Sequence, residues 1–312
     1  MSRHIIITGA GGLVGLNLLS ICHDLHEDII AIDKNPKRID LIKRIFPKVE
    51  AHLIDLNNDE ATWQKLFRGT DTIIQLHAQI QDLEEKPYWD NNVHSVEKVL
   101  NVARQINCKH LIHTSSSVVI SVSNDLYVKS KAAGEKLVVN SNTPYTVLRP
   151  ALMYGCFDYK HLGFLTSLME KLPVLPFPGH GKYIRQPLYV MDLCKVILSA
   201  MKKGPDKKIH NLIGKEQIYF LDLLRIIRKK RKIHCLLLPL PIWLFAFLVR
   251  TWGKLLGKAP FVKDQILALT AGDIFPIEDW EAGFGVKYTK FDTAFDEVLN
   301  SEYKNYRSGH DE

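Results

Sequence analysis

His4-Ile5-Ile6-Ile7-Thr8-Gly9-Ala10-Gly11-Gly12-Leu13-Val14-Gly15 opens the chain and decides its fold. An apolar, β-branched run breaks into a glycine cluster, and the cluster runs straight into an apolar helical pattern: strand, tight turn, helix. Gly9, Gly12 and Gly15 are spaced three residues apart. Gly9 lets the chain turn sharply, Gly12 lets backbone N–H groups approach a ligand, and Gly15 lets the helix lie close on the strand. The start of that helix, Leu13 and Val14, offers unpaired donors and a partial positive charge to a pyrophosphate. Asp33 closes a second apolar run, Ile29-Ile30-Ala31-Ile32, at the distance expected of an acid that binds an adenosine ribose. Residues 1–33 therefore read as the first half of a dinucleotide site.

Outward from this stretch, the same alternation continues. Val49–Ile54, Thr72–Leu76, His110–Thr114 and Thr146–Leu148 read as buried strands, each preceded by a segment with helical spacing. The expected fold is α/β: a doubly wound parallel sheet with a smaller C-terminal substrate domain. Ligands of such sheets bind beyond the carboxyl ends of the strands, at the switch point. After Pro150 the texture changes to a cluster of prolines and glycines through Leu172–Pro187, followed by helical stretches Val190–Lys202 and Phe220–Lys230 and a strand His210–Ile213. The division is 1–150 for the dinucleotide-binding domain and 151–312 mainly for the substrate-binding domain, with part of 186–213 returning to the first. Asp192 reads as a cap for the helix that follows it.

A chain of 312 residues, 46% hydrophobic and 24% charged, is ordinary for a globular protein of this size. Its formal charge of +7 suits an anionic ligand or an acidic membrane surface. Nothing resembles a zinc finger or an aromatic–basic RNA-binding signature, so nucleic acid is not an expected partner. Five cysteines scattered far apart read as reduced thiols, not as a disulfide frame or a metal site, and no metal is expected. With a strand starting almost at residue 1, a cytoplasmic location is expected.

The chemistry-bearing pair is Tyr127 and Lys131, four apart and so on one face of a helical stretch that continues through Val139. A tyrosine ordinarily titrates near 10; bringing it to about 7 takes roughly 4 kcal/mol of preferential stabilisation of the phenolate, which a neighbouring ammonium can supply. Placed behind the fifth strand and its Ser115-Ser116-Ser117 cluster, the pair points to proton transfer. Together with Thr8–Gly15, Asp33, Asp55-Leu56, Asn91-Asn92-Val93, Thr114-Ser115-Ser116, Leu148-Arg149-Pro150 and Tyr154-Gly155, it makes the chain resemble the extended or atypical short-chain dehydrogenase/reductase superfamily, with its sugar-nucleotide epimerases and dehydratases. Leu175–Gly179 and Gln186–Leu193 are most similar to the group related to the accessory subunit of respiratory complex I.

The resemblance implies an NAD(P)-dependent oxidoreductase or epimerase acting on a secondary alcohol or ketone, most plausibly of a nucleotide sugar, and a homodimer. Gly9, Gly12 and Gly15 would hold the pyrophosphate and Asp33 the ribose diol. Asp55 and Leu56 would flank adenine, and Leu76, His77, Ala78 and Asn91 would line the middle of the cofactor. Thr114, Ser115 and Pro150 are further candidates for cofactor binding. Tyr127 would exchange a proton with the substrate, Lys131 would hold the nicotinamide ribose and depress the Tyr127 pKa, and Ser116 would orient the reacting oxygen, with Ser115 and Ser117 as rivals for that role. Ser117 and Arg185 are the candidate substrate contacts. A structural role for His77 competes with a cofactor role, and Arg149 reads as an anchor for its loop. Asp33 favours NAD over NADP, and the nearby Lys34 and Arg38 offset that preference. Tyr127 follows Ser116 by eleven positions, a shorter loop than typical sugar-nucleotide members carry, and no acidic pair follows Ser116, which disfavours dehydration.

Two other readings stand beside this one: a cofactor-binding scaffold or assembly subunit without turnover, and an enzyme of a lipid-like alcohol. The second draws on the tail. Arg228–Lys232 is a cationic block and Leu236–Val249 an apolar run that, as a helix, would span about 21 Å, short of a ~30 Å hydrocarbon core. It reads either as a helix packed on the substrate domain as a lid or dimer face, or as peripheral contact with the inner face of a membrane through 228–258, with Trp243, Trp252, Lys254 and Lys258 at the interface.

Overall fold

The computed structural model describes residues 4–23, 28–80, 82, 84–122, 124–256 and 274–304, with backbone alone at 250 and 252–256. Its centre is a seven-stranded parallel sheet. β1 (His4–Thr8) lies between β2 (Asp28–Asp33) and β4 (Thr72–Gln75); β3 (Glu50–Leu53) extends it on one side. β5 (His110–Thr114), β6 (Tyr145–Pro150) and β11 (Ile209–Leu212) extend it on the other. The order reverses at β1 and β4, and Thr8 registers with both Ile32 and Gln75, so these carboxyl ends open at one level.

The isoleucine-rich strands bury both faces, as a parallel sheet requires. On one face Ile5, Ile7, Ile74, Ile112 and Leu148 pack against α1 (Leu13–Cys22) and α7 (Val190–Lys203). On the other, Ile6, Ile32, Ile73, Leu111 and Val147 meet α4 (Ser95–Gln105), α5 (Leu126–Val139), Trp63 and Phe67. Each fully buried aliphatic side chain contributes about 1.5–3 kcal/mol. The helix expected before β4 is replaced by two 3-10 turns, Glu60–Thr62 and Gln64–Phe67, whose Trp63 and Phe67 fill the same space.

Helix starts follow local chemistry. Asn35 caps α2 (Pro36–Ile45), with Pro36 in its first turn, and Asp125 caps α5 by accepting from the Val128 N–H at 2.9 Å. Asp192 does not cap its own helix. It lies in the first turn of α7, and its carboxylate accepts from the Thr289 N–H (2.7 Å) and hydroxyl (2.8 Å), holding the C-terminal segment onto the helix.

Leu236–Val249 is not one helix. Leu236–Leu240 is a strand, β13, paired in parallel with β8 (Val174–Pro178), and α9 (Ile242–Leu256) starts only after Pro241. Proline lacks an N–H and is tolerated at a short edge strand or a helix start, which is where Pro239 and Pro241 fall. Lys258 lies outside the described residues, as do the side chains of Trp252 and Lys254.

Candidate active site

The glycine turn is shaped by what lies against it. Gly9 has φ +69°, and a Cβ there would come within 2.6 Å of the His77 Cα and N. Gly15 lies so close to the turn that a Cβ would meet the Ala10 carbonyl oxygen at 2.3 Å. The turn is stitched to β2 by Ala10 N–H donating to Ile32 C=O at 3.0 Å and Gly11 N–H donating to Asp33 Oδ2 at 3.1 Å. Gly12 begins α1 without any side-chain cap, leaving the first turn of that helix to the cleft it lines.

That cleft, about 330 Å³, collects the strand ends. Gly9, Gly12, Leu13, Val14 and Gly15 line it, with Asp33, Lys34, Asp55, Leu56, Leu76, His77, Ala78, Asn91, Thr114 and Tyr127. Asp33 is buried; Oδ1 accepts from the Asn35 N–H at 2.9 Å and Oδ2 lies 3.9 Å from an Arg38 guanidinium nitrogen. A carboxylate has about four acceptor positions, so Asp33 keeps capacity for a diol after serving the turn. Lys34 Nζ donates to Asn91 Oδ1 at 2.7 Å, and Asn91 Nδ2 donates to the Pro87 carbonyl at 2.7 Å. Asn91 thus holds the wall together from inside a single π-helical turn, Asp90–His94. Its neighbour Asn92 bridges the Gln79 backbone and Ser130 Oγ (2.9 Å), locking the β4 end to α5.

His77 lines the cleft with both ring nitrogens spent inside the protein. Ser95 Oγ donates to the Asn91 carbonyl (2.8 Å), so it accepts from His77 Nε2–H (2.9 Å); Nδ1 then accepts from the Thr8 hydroxyl (2.7 Å). Burial, and then the Lys131 and Lys34 charges, push its pKa down to about 3. The ring is a neutral cross-brace between β1 and α4.

Tyr127 and Ser116 are brought together. The Ser116 hydroxyl favours the phenolate, but burial outweighs it and lifts the Tyr127 pKa to about 12. The expected depression by Lys131 is not realised. The Lys131 ammonium donates instead to the Thr114 carbonyl at 2.9 Å, and burial brings its own pKa down to about 8, opposed by Glu135. Arg149 grips Glu135 through two hydrogen bonds, Nε to Oε2 at 2.8 Å and a second from its other guanidinium nitrogen to Oε1. The helix that carries Tyr127 and Lys131 is thereby tied to β6.

Six expected residues do not line the cleft. Ser115, Ser116 and Lys131 lie just behind the β5 end, and Pro150 is buried at the end of β6. Ser117 is buried at the start of a 3-10 turn, and Arg185 lies on β9 (Ile184–Arg185), its guanidinium over the Tyr183 ring. Conversely, the Asp158–His161 loop lines the cleft and was missed. Tyr159 is flanked by Arg38 and Lys160, at 5.4 and 5.5 Å from its ring centre, and its hydroxyl accepts from Arg38. Asp158 shapes the loop before α6 (Leu162–Lys171) by accepting from the N–H groups of Lys160, His161 and Gly163. Burial and Arg38 bring the Lys160 pKa down to about 8.

A glycine turn, a buried acid at the end of β2 and Tyr127 around one switch-point cleft define a dinucleotide-binding α/β protein. The chain belongs to the NAD dependent epimerase/dehydratase family, whose model matches residues 5–213. NAD fits the residues present: a Cβ-free cradle at Gly9 and Gly15, an uncapped helix start and Asp33 with acceptor positions to spare. Among curated relatives, it is similar to the Mus musculus NADH dehydrogenase (ubiquinone) 1 alpha subcomplex subunit 9, mitochondrial, 26% identical over 262 residues, covering 80% of this chain and 66% of that protein. The chain spans two thirds or less of the length of such relatives. Its fold is shared with a UDP-glucuronic acid 4-epimerase from Bacillus cereus in complex with NAD (TM-score 0.67, 21% identity, 77% of this chain and 88% of that one). It is shared also with the Bordetella bronchiseptica enzyme WbmG in complex with NAD (TM-score 0.75, 15% identity, 99% and 96%).

Proposed function

We propose that the chain is an NAD-dependent oxidoreductase or epimerase that acts on a secondary alcohol or ketone of a nucleotide sugar. The observation that carries this reading is the placement of Tyr127 in the same cleft as the glycine turn and Asp33, with Ser116 beside it. When bound, NAD supplies a two-electron acceptor or donor for hydride. Tyr127, a neutral phenol at physiological pH, donates its proton to the carbonyl oxygen in the reducing direction and recovers one from the hydroxyl in the reverse. Ser116, just behind the cleft beside the phenol, stabilises the phenolate left behind. Lys131 is the reserve of positive charge behind the phenol, held at the Thr114 carbonyl. Nucleotide sugars are favoured by the UDP-glucuronic acid 4-epimerase that shares the fold.

The test is Tyr127→Phe, assayed with NAD and a panel of UDP-sugars. Turnover is expected to fall by about a thousandfold while NAD affinity stays within about twofold. Unchanged turnover would remove Tyr127 from the chemistry.

A second reading is a cofactor-holding scaffold without turnover. It is favoured by the name of the mouse relative, a subunit of a larger dehydrogenase, and by the lift of the Tyr127 pKa, which leaves the phenol a poor base. Wild-type protein that retains a dinucleotide but leaves every UDP-sugar unchanged supports it.

A further inference from the structure

Six of the fourteen exposed large apolar side chains among the described residues gather on one element pair. Trp243 is 72% exposed, Leu236 60% and Phe247 59%, and Leu238, Ile242 and Leu248 are exposed beside them. β13 and α9 stay attached to the body by their other sides: β13 pairs with β8, and Phe245 is buried beneath α9. Trp243 and Phe247 are four apart, so they share the outward face of α9. An apolar face of this size rimmed by polar groups marks a contact surface.

Charge identifies the occupant. Between Asp222 and Asp264 the sequence carries ten Lys or Arg residues and no Asp or Glu. Lys230 is tied to Asp292 and Asp296 and Arg231 to Glu170, while Lys229 and Lys232 are exposed just before β13. Two copies of the chain meeting here would oppose Lys229 and Lys232 to each other, the nearby acids Glu170, Asp292 and Asp296 being engaged by Arg231 and Lys230. An anionic lipid surface satisfies both features at once, taking the indole and phenyl into its interface and the lysines at its headgroups. α9 has 15 residues, about 22 Å of helix, and no described helix is long and apolar enough to cross a membrane. The contact is therefore interfacial.

We infer that β13 and α9 dock the protein on the surface of an anionic membrane. The test is flotation of the full chain with vesicles of equimolar phosphatidylcholine and phosphatidylglycerol, compared with phosphatidylcholine alone, at low and high salt. Binding is expected to be at least roughly tenfold stronger to the anionic vesicles and to fall with salt. Trp243→Ser with Phe247→Ser should lose it, as should Lys229→Glu with Lys232→Glu, while Trp243→Phe keeps it. Because all four side chains are exposed, retained NAD binding certifies the fold of each variant. Failure to float with anionic vesicles at low salt overturns the inference. So does equal binding by the Ser and Glu double variants, or a concentration-dependent dimer that the Ser variant abolishes without any vesicle binding in the wild type.

Discussion

The backbone of His77 occupies the space where a side chain at Gly9 would begin, 2.6 Å from an added Cβ. The end of β4 thus seals the underside of the cofactor turn, and Gly9 also holds φ +69°, a conformation that costs an L-residue about 1–2 kcal/mol. Gly9→Ala is expected to lose more than that strain, about 3 kcal/mol or more, and NAD binding with it, because two backbones must part. Urea unfolding with and without NAD reads both effects.

The half-buried, neutral imidazole of His77 is expected to make folding pH-dependent. Its pKa is about 3 in the folded chain against 6.5 for an ordinary histidine, so below pH 6.5 the unfolded chain takes up a proton that the folded chain refuses. The stability it confers is complete above about pH 6.5 and is lost as pH falls towards 3, amounting to roughly 4 kcal/mol at that end. His77→Gln, which keeps hydrogen-bonding capacity without titrating, should flatten the stability profile between pH 6.5 and 4.

Glu135 supports the ammonium of Lys131 through charge, since it opposes the burial that lowers the lysine's pKa. Glu135→Gln removes that support, so Lys131 should lose its proton at a pH below 8. If Lys131 must be protonated for turnover, the alkaline limb of the pH–rate profile moves to lower pH. The same variant leaves Arg149 without its carboxylate and should cost about 3 kcal/mol of stability.

We propose that cofactor choice is set where Asp33 faces Arg38. The carboxylate repels a 2′-phosphate, and Arg38, Lys34 and Lys160 line the same cleft. Asp33→Asn keeps an acceptor for the Gly11 or Asn35 N–H and deletes the repulsion. The ratio of NAD to NADP affinity should fall by about tenfold or more, and a ratio unchanged in competitive titrations would show that Asp33 does not discriminate.

The sheet was legible because its strands are short β-branched runs buried on both faces; the limits of His110–Thr114 match residue for residue. The Tyr127–Lys131 pair was legible from helical spacing. The Asp158–His161 loop was not, because its place is set by Arg38 meeting Tyr159 across 121 residues of sequence. Leu236–Val249 looked helical throughout because hydropathy does not reveal that Leu236–Leu240 pairs with β8. Asp192 looked like a cap because its partner, Thr289, lies 97 residues away. The direction of the Tyr127 shift likewise depends on burial, which residue spacing does not report.

Calorimetric titration of the full chain with NAD reads whether the glycine turn and Asp33 make one NAD site at the β1–β4 switch point. One NAD per chain is predicted, with binding weakened about ten- to a hundredfold in Asp33→Ala. A wild-type chain that takes up no NAD, or an Asp33→Ala variant that binds it as tightly, contradicts the account.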